Sequence, residues 1–218
     1  MKTSISNLHL EILDDTRKAA LEKILPFTES FVLGGGTALS LQIAHRLSFD
    51  FDFFSQKEIK KSLLEKISQT VSVKEVLVRS IDELTFLDSN DIKYTFLNYY
   101  FPNCYDILEY DNGMKLFSIK EIAVKKAYTI GRRGVYRDYF DIFEILKDNY
   151  SSLKEINENA QKVYQGVFSP KLFLEQLVYF NDLPDFDISP LDSTKDILPD
   201  AVKQFLEKAV RDYLENNI

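Results

Sequence analysis

Apolar residues recur at helical spacing from Asp14 to Leu25, with Leu21, Ile24 and Leu25 on one face, and the pattern predicts a helix that Pro26 ends. Phe31-Val32-Leu33 is a short apolar run that predicts a strand leading into glycines, and Thr37–Ala44 predicts the next helix. From Phe49 to Phe54 the period changes to two. Phe49, Phe51 and Phe53 then share one face of a predicted strand and Asp50 and Asp52 the other. Ser55 suits the N-cap of a helix over Lys57–Ser68. Three further strands are predicted at Val71–Ser80, Leu84–Leu87 and Ile92–Tyr100, with turns at Ser89-Asn90-Asp91 and Asp111-Asn112-Gly113. After Ser118 the pattern is helical throughout: Glu121–Gly131, Tyr136–Lys147, Ser152–Tyr164, Lys171–Asn181 and Pro199–Asn216, with Pro184–Pro199 as a loop. No internal repeat or low-complexity tract is present. The class these elements define is α+β, with an α+β domain over residues 1–117 and a helical domain over 118–218.

Composition narrows the function. With 218 residues, 45% hydrophobic and 13% aromatic, the chain can bury a core without staples. It contains no apolar run long enough for a transmembrane helix, and Met1–Ser6 shows no signal-peptide character, so the expectation is a cytoplasmic protein with no membrane contact. The single cysteine, Cys104, reads as a partly buried apolar residue. A net charge of -7 makes DNA an unlikely target, while Lys120, Lys125, Lys126, Arg132, Arg133 and Arg137 form a candidate basic patch for an RNA or tRNA.

The chemistry centres on Gly34-Gly35-Gly36-Thr37, where three of the seven glycines stand together. A strand ending in glycine lets the backbone approach a triphosphate, and a helix starting near Thr37 points free N–H groups at it. Thr37 adds a hydroxyl. Asp50 and Asp52, two residues apart on one strand face, supply the hard oxygen pair that suits Mg²⁺ or Mn²⁺. Arg46 either binds phosphate or neutralises the two aspartates, and His45 reads as a cap or a packed residue.

A second constellation follows Ser118, which with Glu121 fits a capping box. On a helical wheel Ile119, Ile122, Ala123, Ala127 and Ile130 mark the buried face. Lys126 falls within that face and Lys125 beside it. A lysine so placed must snorkel out or meet a carboxylate or phosphate. The next helix carries Asp138 flanking its apolar stripe and Asp141 one turn on, displaced further outward. A structural salt bridge between Lys126 and Asp138 and a role in phosphate chemistry are both open at this point.

These residues resemble the AbiEii/AbiGii toxin family of nucleotidyltransferases, which belongs to the DNA polymerase β-type superfamily. The resemblance rests on Gly35-Gly36-Thr37-Ala38-Leu39, on His45-Arg46-Leu47-Ser48-Phe49-Asp50-Phe51-Asp52-Phe53-Phe54, and on Ile122-Ala123, Lys126, Arg133-Gly134, Arg137-Asp138-Tyr139 and Asp141-Ile142. It spans roughly residues 30–146 and implies a mixed sheet with flanking helices, followed by a helical C-terminal region. It also implies an NTP donor, GTP among others, and a toxin of a toxin–antitoxin or phage-abortive system with a cognate antitoxin. The implied reaction is transfer of a nucleoside monophosphate to an RNA, tRNA or protein hydroxyl. Residue by residue, Gly35, Gly36 and Thr37 match the phosphate turn, Asp50 and Asp52 the metal pair, and Lys126 and Asp138 the later catalytic positions. Arg46 and Arg133 fall within the same pattern as nucleotide-binding candidates. One position departs from the superfamily: Thr95 stands mid-strand where a third carboxylate is expected. Either Asp138 fills that role in space, or activity is weak or lost. A non-catalytic nucleotide- or partner-binding module and a kinase-like phosphotransferase are the alternatives.

Overall fold

The computed structural model describes residues 7–130, 132–189 and 197–217. It divides into two compact units. The first contains the described residues up to Pro102 together with Asp106–Ser118, and the second contains Asn103–Tyr105 and the described residues from Ile119 onward.

The first unit holds a seven-stranded mixed sheet in the order β3-β4-β5-β2-β1-β7-β6. The strands are β1 (Val32–Gly34), β2 (Phe51–Ser55), β3 (Val73–Arg79), β4 (Glu83–Asp88), β5 (Lys93–Asn98), β6 (Ile107–Glu109) and β7 (Lys115–Phe117). Helices α1 (Asp15–Ile24), α2 (Gly35–Ile43) and α3 (Ser62–Ile67) accompany them, with single 3₁₀ turns at Leu10–Ile12 and Leu25–Phe27. β1 runs antiparallel to β2 and parallel to β7, β2 runs parallel to β5, and the other pairs are antiparallel.

One face of the sheet is aromatic. Phe51, Phe53, Phe86, Tyr94 and Phe96 are all buried. Ring centroids are 5.6 Å apart for Phe51–Tyr94, 5.0 Å for Phe53–Phe96 and 4.9 Å for Phe86–Tyr94, in stacked pairs across neighbouring strands. Because side chains alternate, the register sends Asp52, Thr95 and Thr85 to the opposite face in one row. The aromatic period therefore selects the face on which the polar groups emerge.

Several elements differ from the sequence expectation. β2 begins at Phe51 rather than Phe49, so Asp50 precedes the strand. The reason is tertiary: the Phe49 carbonyl accepts from Arg17 Nε at 3.4 Å and the Asp50 carbonyl accepts from the Thr37 hydroxyl, which commits both groups outside the ladder. Ser55 is the last residue of β2, paired with Asn98, and caps no helix. Its hydroxyl accepts from the Lys57 amide at 3.2 Å, Ile59 N–H bonds the Ile81 carbonyl at 2.7 Å, and the helix is confined to Ser62–Ile67. α2 starts at Gly35, two residues early. Strands β6 and β7 were not expected; they flank the turn containing Asp111-Asn112-Gly113, where Gly113 has φ +86°.

The second unit is helical: α4 (Ile119–Ile130), α5 (Tyr136–Lys147), α6 (Leu153–Val163), α7 (Pro170–Leu177) and α8 (Pro199–Asn217). α4 packs on α5, α6 and α7, and α5 on α8. Val202, Leu206 and Val210 are buried at four-residue steps along α8, the spacing of a helix that covers a core with one face. Part of the Pro184–Pro199 loop and Gly131 lie outside the described residues.

Candidate active site

The glycine turn joins β1 to α2, and its glycines are required by their neighbours. Gly35, the first residue of α2, has φ +66°, and a Cβ there would lie 2.7 Å from Asp52 Oδ2. A Cβ at Gly36 would collide with the Arg46 guanidinium and stand 3.1 Å from Ser48 Oγ. A carboxylate and a guanidinium therefore press on two consecutive peptides at a helix N-terminus, where unpaired amide donors and the helix dipole favour negative charge.

Each predicted residue of this unit has a definite setting. Asp52 lies on β2, half-buried, opposite Gly34 on one side and Thr95 on the other. Asp50, ahead of the strand, pairs with Lys93 Nζ at 2.8 Å, two residues before Thr95 as the register requires. Arg46 is 3% exposed and donates from Nη1 to the Leu47 carbonyl at 3.0 Å. Thr37 is buried, and its hydroxyl bonds Ser48 Oγ at 2.9 Å and the Asp50 carbonyl. It thus ties the first turn of α2 to the segment that carries Asp50. His45 follows Ala44, whose φ of +50° ends α2.

Thr95 is buried between Asp52 and Thr85. The acid two residues from Thr85 along the same face is Glu83, whose carboxylate accepts from the Thr85 hydroxyl at 2.6 Å. Among the described residues no three His, Cys, Asp or Glu side chains converge as a metal cluster. The two acids expected to hold a metal differ in setting: Asp52 lies on β2, while Asp50 lies ahead of it and is paired with Lys93. Such a two-carboxylate set would suit an ion that keeps waters and substrate oxygens as its remaining ligands.

Within the helical unit, Lys126 is buried and its Nζ lies 2.5 Å from Asp138 Oδ1 and 2.6 Å from Asp141 Oδ2. Arg133 adds Nε to Asp138 Oδ2 at 2.9 Å and Nη2 to Oδ1 at 3.3 Å. Burial alone would raise the Asp138 carboxyl, but Lys126 and Arg133 outweigh it and hold the group below its ordinary value. Asp141, expected to lie further outward, is fully buried because Lys126 draws it inward. The carboxylate partner required of a lysine on the buried face is thus present twice.

The expected basic patch is divided: Arg132, Arg133 and Arg137 are exposed, but its lysines are committed elsewhere. Lys125 and Lys126 are buried, and Lys120 pairs with Glu155 at 2.7 Å. Lys125 forms an ion pair with fully buried Glu121 at 3.0 Å, and burial lowers the lysine against the pull of that carboxylate. Glu121 also accepts the amides of Cys104 and Tyr105 at 2.8 and 3.1 Å. This second buried pair and Lys93 were missed. The Glu121–Lys125 spacing of four residues was the available signal for the pair; Lys93 depended on a parallel register with no local sign.

A strand-to-helix glycine turn with an acidic second strand, set in a mixed sheet, is the arrangement of nucleotidyltransferase folds. Two solved structures share the fold: a candidate nucleotidyltransferase of H. pylori (TM-score 0.54, 15% identity, 94% of this chain and 100% of that one), and MenT4, a nucleotidyltransferase toxin of Mycobacterium tuberculosis (TM-score 0.57, 14% identity, 88% and 80%). The family model described as "Nucleotidyl transferase AbiEii toxin, Type IV TA system" matches residues 19–103. The uncharacterized protein aq_aa25 of Aquifex aeolicus (strain VF5) is 32% identical over 213 residues, covering 94% of this chain and 98% of that protein. Residues 19–103 thus carry the match to the AbiEii nucleotidyltransferase toxin family, and the Aquifex relative aligns with nearly the whole chain. No helix among the described residues is long and apolar enough to cross a membrane.

Proposed function

We propose that the protein transfers a nucleoside monophosphate from an NTP to a hydroxyl of RNA or protein, and that this reaction makes it a toxin. The observation that carries the reading is the apposition of Asp52 to Gly35 at the start of α2. It sets an acidic oxygen beside a turn whose amides suit phosphate.

In this reading the Gly35–Gly36 turn and the α2 N-terminus bind the triphosphate. Arg46 contributes fixed positive charge behind Gly36, and Thr37 positions Asp50 through its carbonyl. Asp50 and Asp52 would hold Mg²⁺ or Mn²⁺, which supplies polarisation of the α-phosphate and neutralisation of the departing pyrophosphate. The acceptor oxygen attacks the α-phosphorus, the bond to the bridging β-phosphate oxygen breaks, pyrophosphate leaves, and the hydroxyl proton passes to a carboxylate or water. Positioning and electrostatics supply most of the rate. Lys126, Asp138 and Arg133 enter through the family pattern. Within the helical unit Asp138 orients Lys126 at 2.5 Å.

The test incubates the protein with each α-labelled NTP, Mg²⁺ and total cellular RNA. Label in RNA or protein, pyrophosphate release and loss of both in Asp52→Ala are the expected results. No label transfer, together with no growth defect on expression, would overturn the reading. Release of nucleoside diphosphate instead of pyrophosphate would favour kinase-like transfer. A neighbouring gene for a small helix-turn-helix protein would support a cognate antitoxin. A second reading rests on Thr95 lying beside Asp52: a module that binds nucleotide without turnover. It predicts that Asp50→Ala leaves NTP binding and the biological effect unchanged.

A further inference from the structure

Strand β3 is an edge of the sheet with an apolar centre. It lies at one end of the strand order, and among the described residues no strand pairs with its outer side. Soluble proteins protect such edges with charges, proline, bulges or short strands, and in β3 the charges Lys74, Glu75 and Arg79 stand at the ends of the strand. Here three consecutive apolar residues stand open, Val76 at 40%, Leu77 at 47% and Val78 at 38% exposure, with Ile81 at 50% just beyond. The register with β4 shifts between Val73 and Glu75 and again between Val76 and Val78. The second shift falls at Leu77, so the apolar centre of the strand sits at an irregular position of the ladder.

The order of residues in β3 says what covers it. Lys74-Glu75-Val76-Leu77-Val78-Arg79-Ser80 is self-complementary about its centre. Laid antiparallel against a second β3 with a two-fold axis at Leu77, Leu77 meets Leu77 of the partner subunit and Val76 meets the partner's Val78. Glu75 then meets the partner's Arg79, and symmetry makes each of the last two contacts twice. Moving the axis to Val76 sets Glu75 against leucine and Lys74 against valine. An in-register parallel pairing stacks Glu75 on Glu75. Only the Leu77-centred register places opposite charges together and apolar groups together.

We propose that two copies of this chain associate edge to edge through β3, antiparallel, about a two-fold axis at Leu77. The surface is independent of the nucleotide chemistry proposed above, and its test reads no catalysis.

The test is sedimentation velocity of the full chain over the micromolar range. The wild type is expected to form a dimer, and Leu77→Asp to be monomeric. Glu75→Arg alone sets like charges across the axis, as does Arg79→Glu alone, and each is expected to weaken the dimer about ten-fold or more. An equimolar mixture of these two variants restores opposite charges at both positions and is expected to recover dimer, now mixed. Arg79 also pairs with Glu65 in its own chain, so circular dichroism and a melting curve accompany each variant. Should Arg79→Glu fail to fold, Glu75→Arg and Leu77→Asp decide the matter, since both replace exposed side chains. A wild type that stays monomeric, a dimer that Leu77→Asp and Glu75→Arg leave intact, or folded charge-reversed variants that do not associate when mixed would each overturn the proposal.

Discussion

Asp52 on β2 and Gly35 at the start of α2 are in direct apposition: a Cβ on the glycine would lie 2.7 Å from the aspartate Oδ2. This one contact explains both the invading carboxylate and the absence of a side chain at Gly35, whose φ is +66°.

Gly35→Ala therefore meets two penalties, a left-handed backbone and a clash with a carboxylate. Gly113, at φ +86° with nothing within 4 Å of a Cβ, meets only the first. Gly113→Ala is expected to cost about 1 kcal/mol of unfolding free energy. Gly35→Ala is expected to cost about 2–3 kcal/mol and to abolish NTP binding. Urea denaturation with calorimetric titration of NTP checks both, and equal costs would contradict the apposition.

Thr95→Asp places a carboxylate in register with Asp52. Without metal the two like charges repel in a partly buried row, so the melting temperature should fall. With Mg²⁺ or Mn²⁺ the variant should recover more than the wild type gains, because a third oxygen ligand tightens the site. Thermal melts with and without metal test this. A metal response no larger than that of the wild type would argue that Asp50 and Asp52 do not form a metal pair.

The residues that local periodicity governs were legible. The helix over Tyr136–Lys147 has the same limits in sequence and structure, and of the outcomes the wheel left open for a buried-face Lys126 (snorkelling, a carboxylate or a phosphate) the structure shows the carboxylate. What was not legible depends on groups distant in the chain. Nothing near Phe49 announces that Arg17 and Thr37 take the carbonyls that would have extended β2. Nothing near Ser55 announces that Ile81 holds Ile59 away from a helix. Asp141 looked peripheral because the wheel ranks apolar positions and does not register the pull of a buried ammonium. The site was visible as composition, glycines followed by aspartates. Of its neighbours, Arg46 was already a candidate from the sequence, though not its place behind Gly36, and Lys93 on Asp50 follows from tertiary register alone.

Glu155 offers a pH test within the helical unit. Its carboxylate accepts from Lys120 at 2.7 Å, Tyr105 at 2.8 Å and Ser151 at 2.9 Å, and the lysine bond above all holds the carboxyl down at about 2. A depressed value contributes stability that is present above the ordinary carboxylate range and lost as pH falls toward the folded value. An NMR titration of the Glu155 side chain should give a midpoint near that value in the wild type. In Lys120→Met the midpoint should move up toward the ordinary range. An unchanged midpoint would remove Lys120 as the cause.

The buried Lys126–Asp138–Asp141 group makes a sharper prediction. Lys126→Met leaves two buried carboxylates without their lysine, and breaking a buried pair from one side costs about 3–5 kcal/mol. Arg133→Ala should cost less, about 1 kcal/mol or under, because the arginine side chain is 58% exposed and water screens its contribution. Asp138 sits below its ordinary value in the wild type, so its contribution is complete at neutral pH and disappears as pH falls through that lowered value. Removing Lys126 raises the buried carboxyls, which then accept protons at higher pH and lose their unpaired charge. The stability deficit of Lys126→Met should accordingly shrink as pH falls from about 7 toward about 4. Urea midpoints across that range, for Lys126→Met and Arg133→Ala beside the wild type, test the claim. A deficit that stays constant with pH would mean that the lysine contributes through packing of its chain rather than through its charge.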